Sequence, residues 1–166
     1  RSAMTVLDAL GGPHERVRTA LAQAFGIENI SPLNVLAIDI LADENARILP
    51  LTPGLPDDWF DHDGQITKRE VRALTLAALA PRRGELLWDI GAGSGSVGIE
   101  WMLADPSLSA IAVEADPIRG ARIADNAALM GVPGLTIRVG RAPQVLEKLE
   151  KPDAIFIGGG GTEEGV

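Results

Sequence analysis

Glu85-Leu86-Leu87-Trp88-Asp89-Ile90-Gly91-Ala92-Gly93-Ser94-Gly95-Ser96-Val97-Gly98-Ile99-Glu100-Trp101 reads as a strand, a glycine loop and a helix in direct succession. Residues 85–90 form a short apolar run with an acidic residue near its end. Gly91, Gly93 and Gly95 follow at alternate positions, and helical patterning continues to about residue 103. Glycine lets a chain turn sharply and approach a ligand closely. The first amides of the helix behind it have no partner within the helix and carry partial positive charge. In an open parallel sheet such a loop lies beyond the carboxyl end of its strand, where ligands bind.

The same rhythm repeats on both sides. Downstream, strands are expected at residues 109–113, 135–139 and 154–157. A helix opens at Pro117 and ends at Gly131, and a short helix covers residues 143–149. Upstream, Thr67-Lys68-Arg69-Glu70 matches a capping box and opens a helix to about residue 79, closed by Pro81. Alternating strands and helices, with strands apolar on both faces, predict an α/β chain with a Rossmann-like, doubly wound parallel sheet. Further upstream, Pro50, Pro53 and Pro56 disfavour helix and central strand, so residues 50–62 read as a linker. Before them, Gly11-Gly12-Pro13 opens a helical pattern carrying Val17, Ala20, Leu21 and Ala24, stopped by Gly26, with His14 on its surface. Residues 33–41 read as a mostly buried strand. One helix and one strand are too little for a domain, so residues 1–49 are expected to be the tail of one, and residues 63–166 a second, incomplete domain. The chain opens on Arg1 and stops just after a strand-like run, which suggests a piece of a longer protein.

Composition excludes several classes. The 166 residues are 46% hydrophobic and 23% charged, which is enough apolar material for a core. Cysteine is absent, which rules out disulfides and thiolate metal sites and fits a cytoplasmic protein. The net charge of −8 is a poor footprint for nucleic acid. No apolar run reaches the ~18 residues of a spanning helix, so no membrane partner is expected. His62 sits between Asp61 and Asp63, but adjacent positions do not converge on one ion, and no metal is expected. With two histidines and no cysteine, no nucleophilic triad is arguable and no catalytic acid or base is identified. Trp88 and Trp101 read as core. A homo-oligomer is compatible with all of this.

Two ligand readings compete for the loop. Gly93-Ser94-Gly95-Ser96-Val97-Gly98 fits the dinucleotide pattern GxGxxG and would suit an oxidoreductase. Asp89 to Gly95 fits DxGxGxG, where a strand-end carboxylate would repel a pyrophosphate and suit an ammonium or sulfonium group. S-adenosylmethionine carries both groups and no phosphate. Glu114 lies 23 positions after Gly91, at the end of the next strand, where an acidic residue accepts from ribose hydroxyls. Gly140-Arg141-Ala142-Pro143 could frame an adenine. Gly158 to Gly161, after the fourth strand, suggests close backbone approach. Lys68, Arg69 and Arg72 form either a solvated helix face or an anion-binding rim. A non-catalytic fragment is the third reading.

The runs from Asp63 to Leu74, from Leu87 to Val97 and from Ile155 to Gly161 resemble the decarboxylating methyltransferase domain of cobalamin biosynthesis. Residues 5–12 with Leu33-Asn34-Val35 resemble the end of the tetrapyrrole methylase domain fused before it. The resemblance implies a truncated class I S-adenosylmethionine methyltransferase fold and a precorrin substrate. One meso carbon would be methylated and an acetate side chain decarboxylated by the second domain; the first would methylate the other meso carbon. It implies cofactor contacts at Asp89, Gly91, Ala92, Gly93, Gly95, Glu114, Ala142, Gln65 and Thr67. The polycarboxylate substrate would meet Lys68, Arg72 and the amides of Gly159 and Gly160. Where family members often carry an acidic residue, this chain has Arg141.

Overall fold

The computed structural model describes residues 2–44 and 46–159. It divides into two compact units, Arg1–Ile48 and Leu49–Val166.

The first unit is a three-stranded antiparallel sheet of β1 (Ala3–Asp8), β2 (Arg16–Leu21) and β3 (Asn34–Asp39), ordered β2-β1-β3. The helix expected from Val17 to Ala24 is therefore a strand. Val17, Thr19 and Leu21 also alternate with Arg16 and Arg18, and that period of two is the pattern the fold uses. Pairing explains why: Arg16 lies opposite Asp8 and Arg18 opposite Val6, on one face of the sheet. Both guanidinium groups reach the buried Asp8 carboxylate, at 3.4 and 2.5 Å. Gly26 accordingly stops no α-helix, and His14 lies exposed in a turn. β3 is a strand as expected, but all its residues are exposed.

The second unit runs α1 (Arg69–Leu79), β4 (Leu86–Ile90), α2 (Ser96–Ala104), β5 (Ser109–Glu114), α3 (Pro117–Leu129), β6 (Thr136–Val139) and β7 (Ala154–Ile157). Its four strands are parallel, in the order β6-β5-β4-β7. This is the expected α/β sheet. The chain builds outward from β4 through β5 to β6, then returns to place β7 on the other side of β4. The order thus reverses at β4, which is where such sheets open a crevice.

The core explains the elements. Leu87, Ile99, Trp101, Ala112 and Ile123 are fully enclosed between the sheet and its helices. α3 buries Gly120, Ile123, Asn126 and Ala127 at three- and four-residue spacing, and Asp116 caps it by accepting from the Ile118 amide at 2.8 Å. Trp88 is only half-buried; its indole N–H donates to the Glu150 carbonyl at 3.1 Å.

Three local expectations need correction. Residues 50–62 do not form a free linker: Leu55 and Phe60 enter the core of the second unit. Proline bars regular structure there, not burial. The capping box does not form, because α1 starts at Arg69 with Lys68 as cap and no side-chain cap bond. The Thr67 carbonyl instead accepts from Arg72. Residues 143–149 give only a short 3₁₀ turn, Leu146–Lys148, after a cis Ala142–Pro143 peptide.

Arg72 is the centre of the region before α1. It is 0% exposed. Its Nε donates to Glu100 on α2 at 2.6 Å, and its other nitrogens reach Asp57 and the carbonyls of Leu55 and Thr67. Its guanidinium also lies over the Phe60 ring, 4.9 Å from the centroid. Glu100 accepts in addition from the amides of Gly54 and Leu55. A buried charge survives only with such complete pairing.

Candidate active site

A cavity of about 900 Å³ opens over the carboxyl ends of all four parallel strands. Its walls come from separate stretches: residues 64–68, 90–93, 113–115, 140–144 and 158–159, with Arg119 from α3 and Phe156 from β7. Of the residues singled out above, Gln65, Thr67, Lys68, Gly91, Ala92, Gly93, Glu114, the run Gly140 to Pro143, Gly158 and Gly159 line it. Gly160 and Gly161 lie outside the described residues.

Glycine at two positions draws the walls together. Gly91 and Gly93 both have positive φ, at 71° and 59°. A Cβ on Gly93 would stand 2.8 Å from the Gln65 carbonyl oxygen, and one on Gly91 3.2 Å from the Gly159 amide nitrogen. These glycines bring three loops into contact around the cavity.

Glu114 is the best-formed polar group of the site. It ends β5, is 5% exposed and lines the cavity. Its Oε2 accepts from the Gly93 amide at 2.9 Å and its Oε1 from the Asp116 amide at 3.0 Å. Each oxygen keeps a further lone pair, so the carboxylate is oriented but not saturated.

Asp89 departs from expectation. Its side chain is 1% exposed and is not part of the cavity wall. It points beneath the loop, where Oδ2 accepts from the Gly98 amide in the first turn of α2 at 2.9 Å. Burial, reinforced by the charge of Glu114 and opposed by the Gly98 hydrogen bond, pushes its pKa up to about 7. Direct contact with a ligand is therefore corrected to support from below. Gly95 is corrected in the same way: a Cβ there would meet Ile123 Cγ2 at 2.7 Å, so it serves close packing of α3 under the loop.

Arg72 is likewise no rim group, since Glu100 and Asp57 hold it in the interior. Lys68 does reach the wall; its ammonium lies 3.7 Å from Asp57 and is largely exposed.

The sequence reading missed three groups. Arg119 lines the cavity, and its Nε donates to Asp63 at 2.9 Å. Arg122 reaches both Asp61 and Asp63, at 3.2 and 3.3 Å. The two guanidinium groups, with the Gln65 amide, hold the Asp63 carboxyl far below the usual carboxylate range. Asn126 clamps the same segment from α3: it accepts from the Asp61 amide and donates to the carbonyls of Asp61 and Ser94. The signal for these was available, because Arg119, Arg122 and Asn126 recur at helical spacing on one face. Nothing in the sequence pointed that face at residues 61–63.

The model of the precorrin methyltransferase domain family matches residues 58–166, well over half of the chain. The chain belongs to this family. A precorrin-6Y C(5,15)-methyltransferase [decarboxylating] of Sinorhizobium sp is 64% identical over 166 residues, all of this chain and 40% of the relative. One of Mycobacterium tuberculosis strain H37Rv is 44% identical over 168 residues, 99% of this chain and 41% of the relative. The solved C-terminal domain of precorrin-6Y C5,15-methyltransferase from Rhodobacter capsulatus is 54% identical, with a TM-score of 0.64 over 68% of this chain and 61% of that one. The chain thus spans about two-fifths of the length of the curated relatives it matches. Within this precorrin methyltransferase domain, the matched residues include every wall of the cavity.

Proposed function

We propose that residues 63–166 bind S-adenosylmethionine and belong to an enzyme that methylates and decarboxylates a precorrin macrocycle in cobalamin biosynthesis. Residues 1–49 are then the C-terminal part of a tetrapyrrole methylase domain, a reading supported by the match of the whole chain, beyond residues 58–166, to precorrin-6Y C(5,15)-methyltransferases.

The observation that carries the cofactor reading is the contrast between the two strand-end carboxylates. Glu114 stands in the cavity with lone pairs free for a vicinal diol. Asp89 already takes the Gly98 amide at the start of α2, and residues 94–100 are all buried. A pyrophosphate would need those amides. A phosphate-free nucleoside ligand does not. The dinucleotide reading of residues 93–98 is the weaker one, because the Asp89 carboxylate already occupies the Gly98 amide in the first turn of α2.

The residues present fit such a cofactor. Glu114 would hold the ribose, the amides around Gly91 and Gly159 the amino-acid end, and Gln65 and Thr67 the side facing α1. When bound, the cofactor supplies a sulfonium methyl already activated for transfer to a ring carbon, its C–S bond electrons leaving with the thioether sulfur. The chain's own task is alignment and exclusion of water. Lys68 at the rim supplies positive charge for a substrate carboxylate.

Calorimetric titration with S-adenosylhomocysteine and, separately, NAD tests this. Binding of the former alone is expected. Binding of NAD alone overturns the cofactor assignment. Binding of neither makes the chain an inert fragment.

A further inference from the structure

Among the described residues, no aromatic side chain lines the β6 end of the cavity. In the sheet, Glu114 lies opposite Val139, and the Gly140 amide donates to the Glu114 carbonyl at 2.9 Å. The glycine loop and Gly159 lie on the β4 and β7 side of Glu114, the amide-rich side suited to an amino-acid group. A ligand whose ribose sits on Glu114 must then extend its base toward β6. The walls there are Ala115, Arg119 and residues 140–144. Ala115 and Ala142 are small and both line the cavity. Phe156, the aromatic wall residue, is on β7 at the other side. The planar side chains at the base end are those of Arg119, Arg141 and Gln144, and of the two arginines, Arg119 is fixed: Asp63 holds its Nε at 2.9 Å while its side chain stays 30% exposed.

We infer that Arg119 is the platform for the nucleobase of the cofactor and that Asp63 is the positioning residue that sets its plane. The inference rests on the cofactor reading above. A guanidinium face stacks on an aromatic ring as an aromatic side chain does, and it needs a partner to fix its orientation. The Asp63 pairing supplies that orientation without covering the plane. It also ties residues 61–63 to α3, so a purely structural role must be separated from a ligand contact.

The experiment is titration of the full 166-residue chain with S-adenosylhomocysteine and with 5′-methylthioadenosine, which lacks the amino-acid end. Arg119→Ala is expected to weaken both by the same factor, about tenfold. Arg119→Lys keeps the charge and the tie to Asp63 but loses the plane. It is expected to show the wild-type thermal midpoint and most of the same loss. Asp63→Asn is expected to cost about threefold in the wild type and nothing more in the Arg119→Ala background, because it acts through Arg119. Wild-type affinity in Arg119→Lys overturns the inference, since the tie alone would then matter. A loss confined to S-adenosylhomocysteine overturns it too, placing Arg119 at the amino-acid end. If the wild-type chain binds neither nucleoside, the cofactor reading itself has failed. If it binds both and Arg119→Ala is unchanged, only the present inference has.

Discussion

Two arginine–carboxylate clusters fasten the same segment before α1, and they differ in almost everything except chemistry. Arg72 with Glu100 and Asp57 holds residues 54–57 and 67 from inside. Arg119 and Arg122 with Asp61 and Asp63 hold residues 61–63 at the surface, where the Asp61 side chain is 76% exposed. In the first, each buried charge depends on its partner, so the pair is structural and unforgiving. In the second, water can replace either partner, so geometry can be spent on a ligand at little cost to the fold. On the inference drawn above, the comparison separates stability from recognition within one segment of chain.

The largest expected effect tests the first half of it. Arg72→Met strands Glu100 in the interior and is expected to cost ~4 kcal/mol of unfolding free energy, measured by urea denaturation. A loss under ~1 kcal/mol would show that water already reaches the pair. Next is Gly95→Ala, which combines a positive φ with a clash against Ile123 and should cost ~3 kcal/mol in the same measurement. Because Gly95 is not a wall of the cavity, the affinity of the folded fraction for S-adenosylhomocysteine should hardly move.

Asp89 adds a pH-dependent contrast. Its folded pKa is raised to about 7 from an unfolded value of 3.8. The native state therefore holds the extra proton between those values, and unfolding free energy falls as pH rises through that window, levelling off above it. Asp89→Asn should flatten this fall between pH 5 and pH 7. Equal slopes for variant and wild type would mean the carboxylate is better solvated than its burial implies. The smallest stability effect belongs to Asp63→Asn. Its thermal midpoint should stay close to wild type while nucleoside affinity drops; a large shift in midpoint would erase the distinction between the clusters.

How much of this was legible beforehand follows the same division. The parallel sheet was readable because Leu87, Ile90, Ile111 and Val113 are buried by any arrangement of β-α units. The place of Gly91, Gly93 and Glu114 in the cavity wall was readable because the backbone dictates it. It was misread where side-chain direction matters. Asp89 and Glu114 both stand near the ends of adjacent strands, yet one turns under α2 and the other into the cavity. Lys68 caps α1 and Arg72 lies in its first turn, and only the burial of the latter tells the two cations apart. β2 was misread because helical and alternating patterns coexist there, and the deciding contact, Asp8 with Arg16 and Arg18, is non-local.

The cavity walls are contributed by loops, strand ends and helix residues scattered from residue 64 to residue 159. No contiguous peptide of this chain could reproduce them, so occupancy reports completion of the whole sheet. A ligand that binds only that completed state draws the folding equilibrium toward it, by about 2.7 kcal/mol at a hundred times its Kd. On the cofactor reading proposed above, the open crevice also makes the nucleoside ligand a folding partner of this domain.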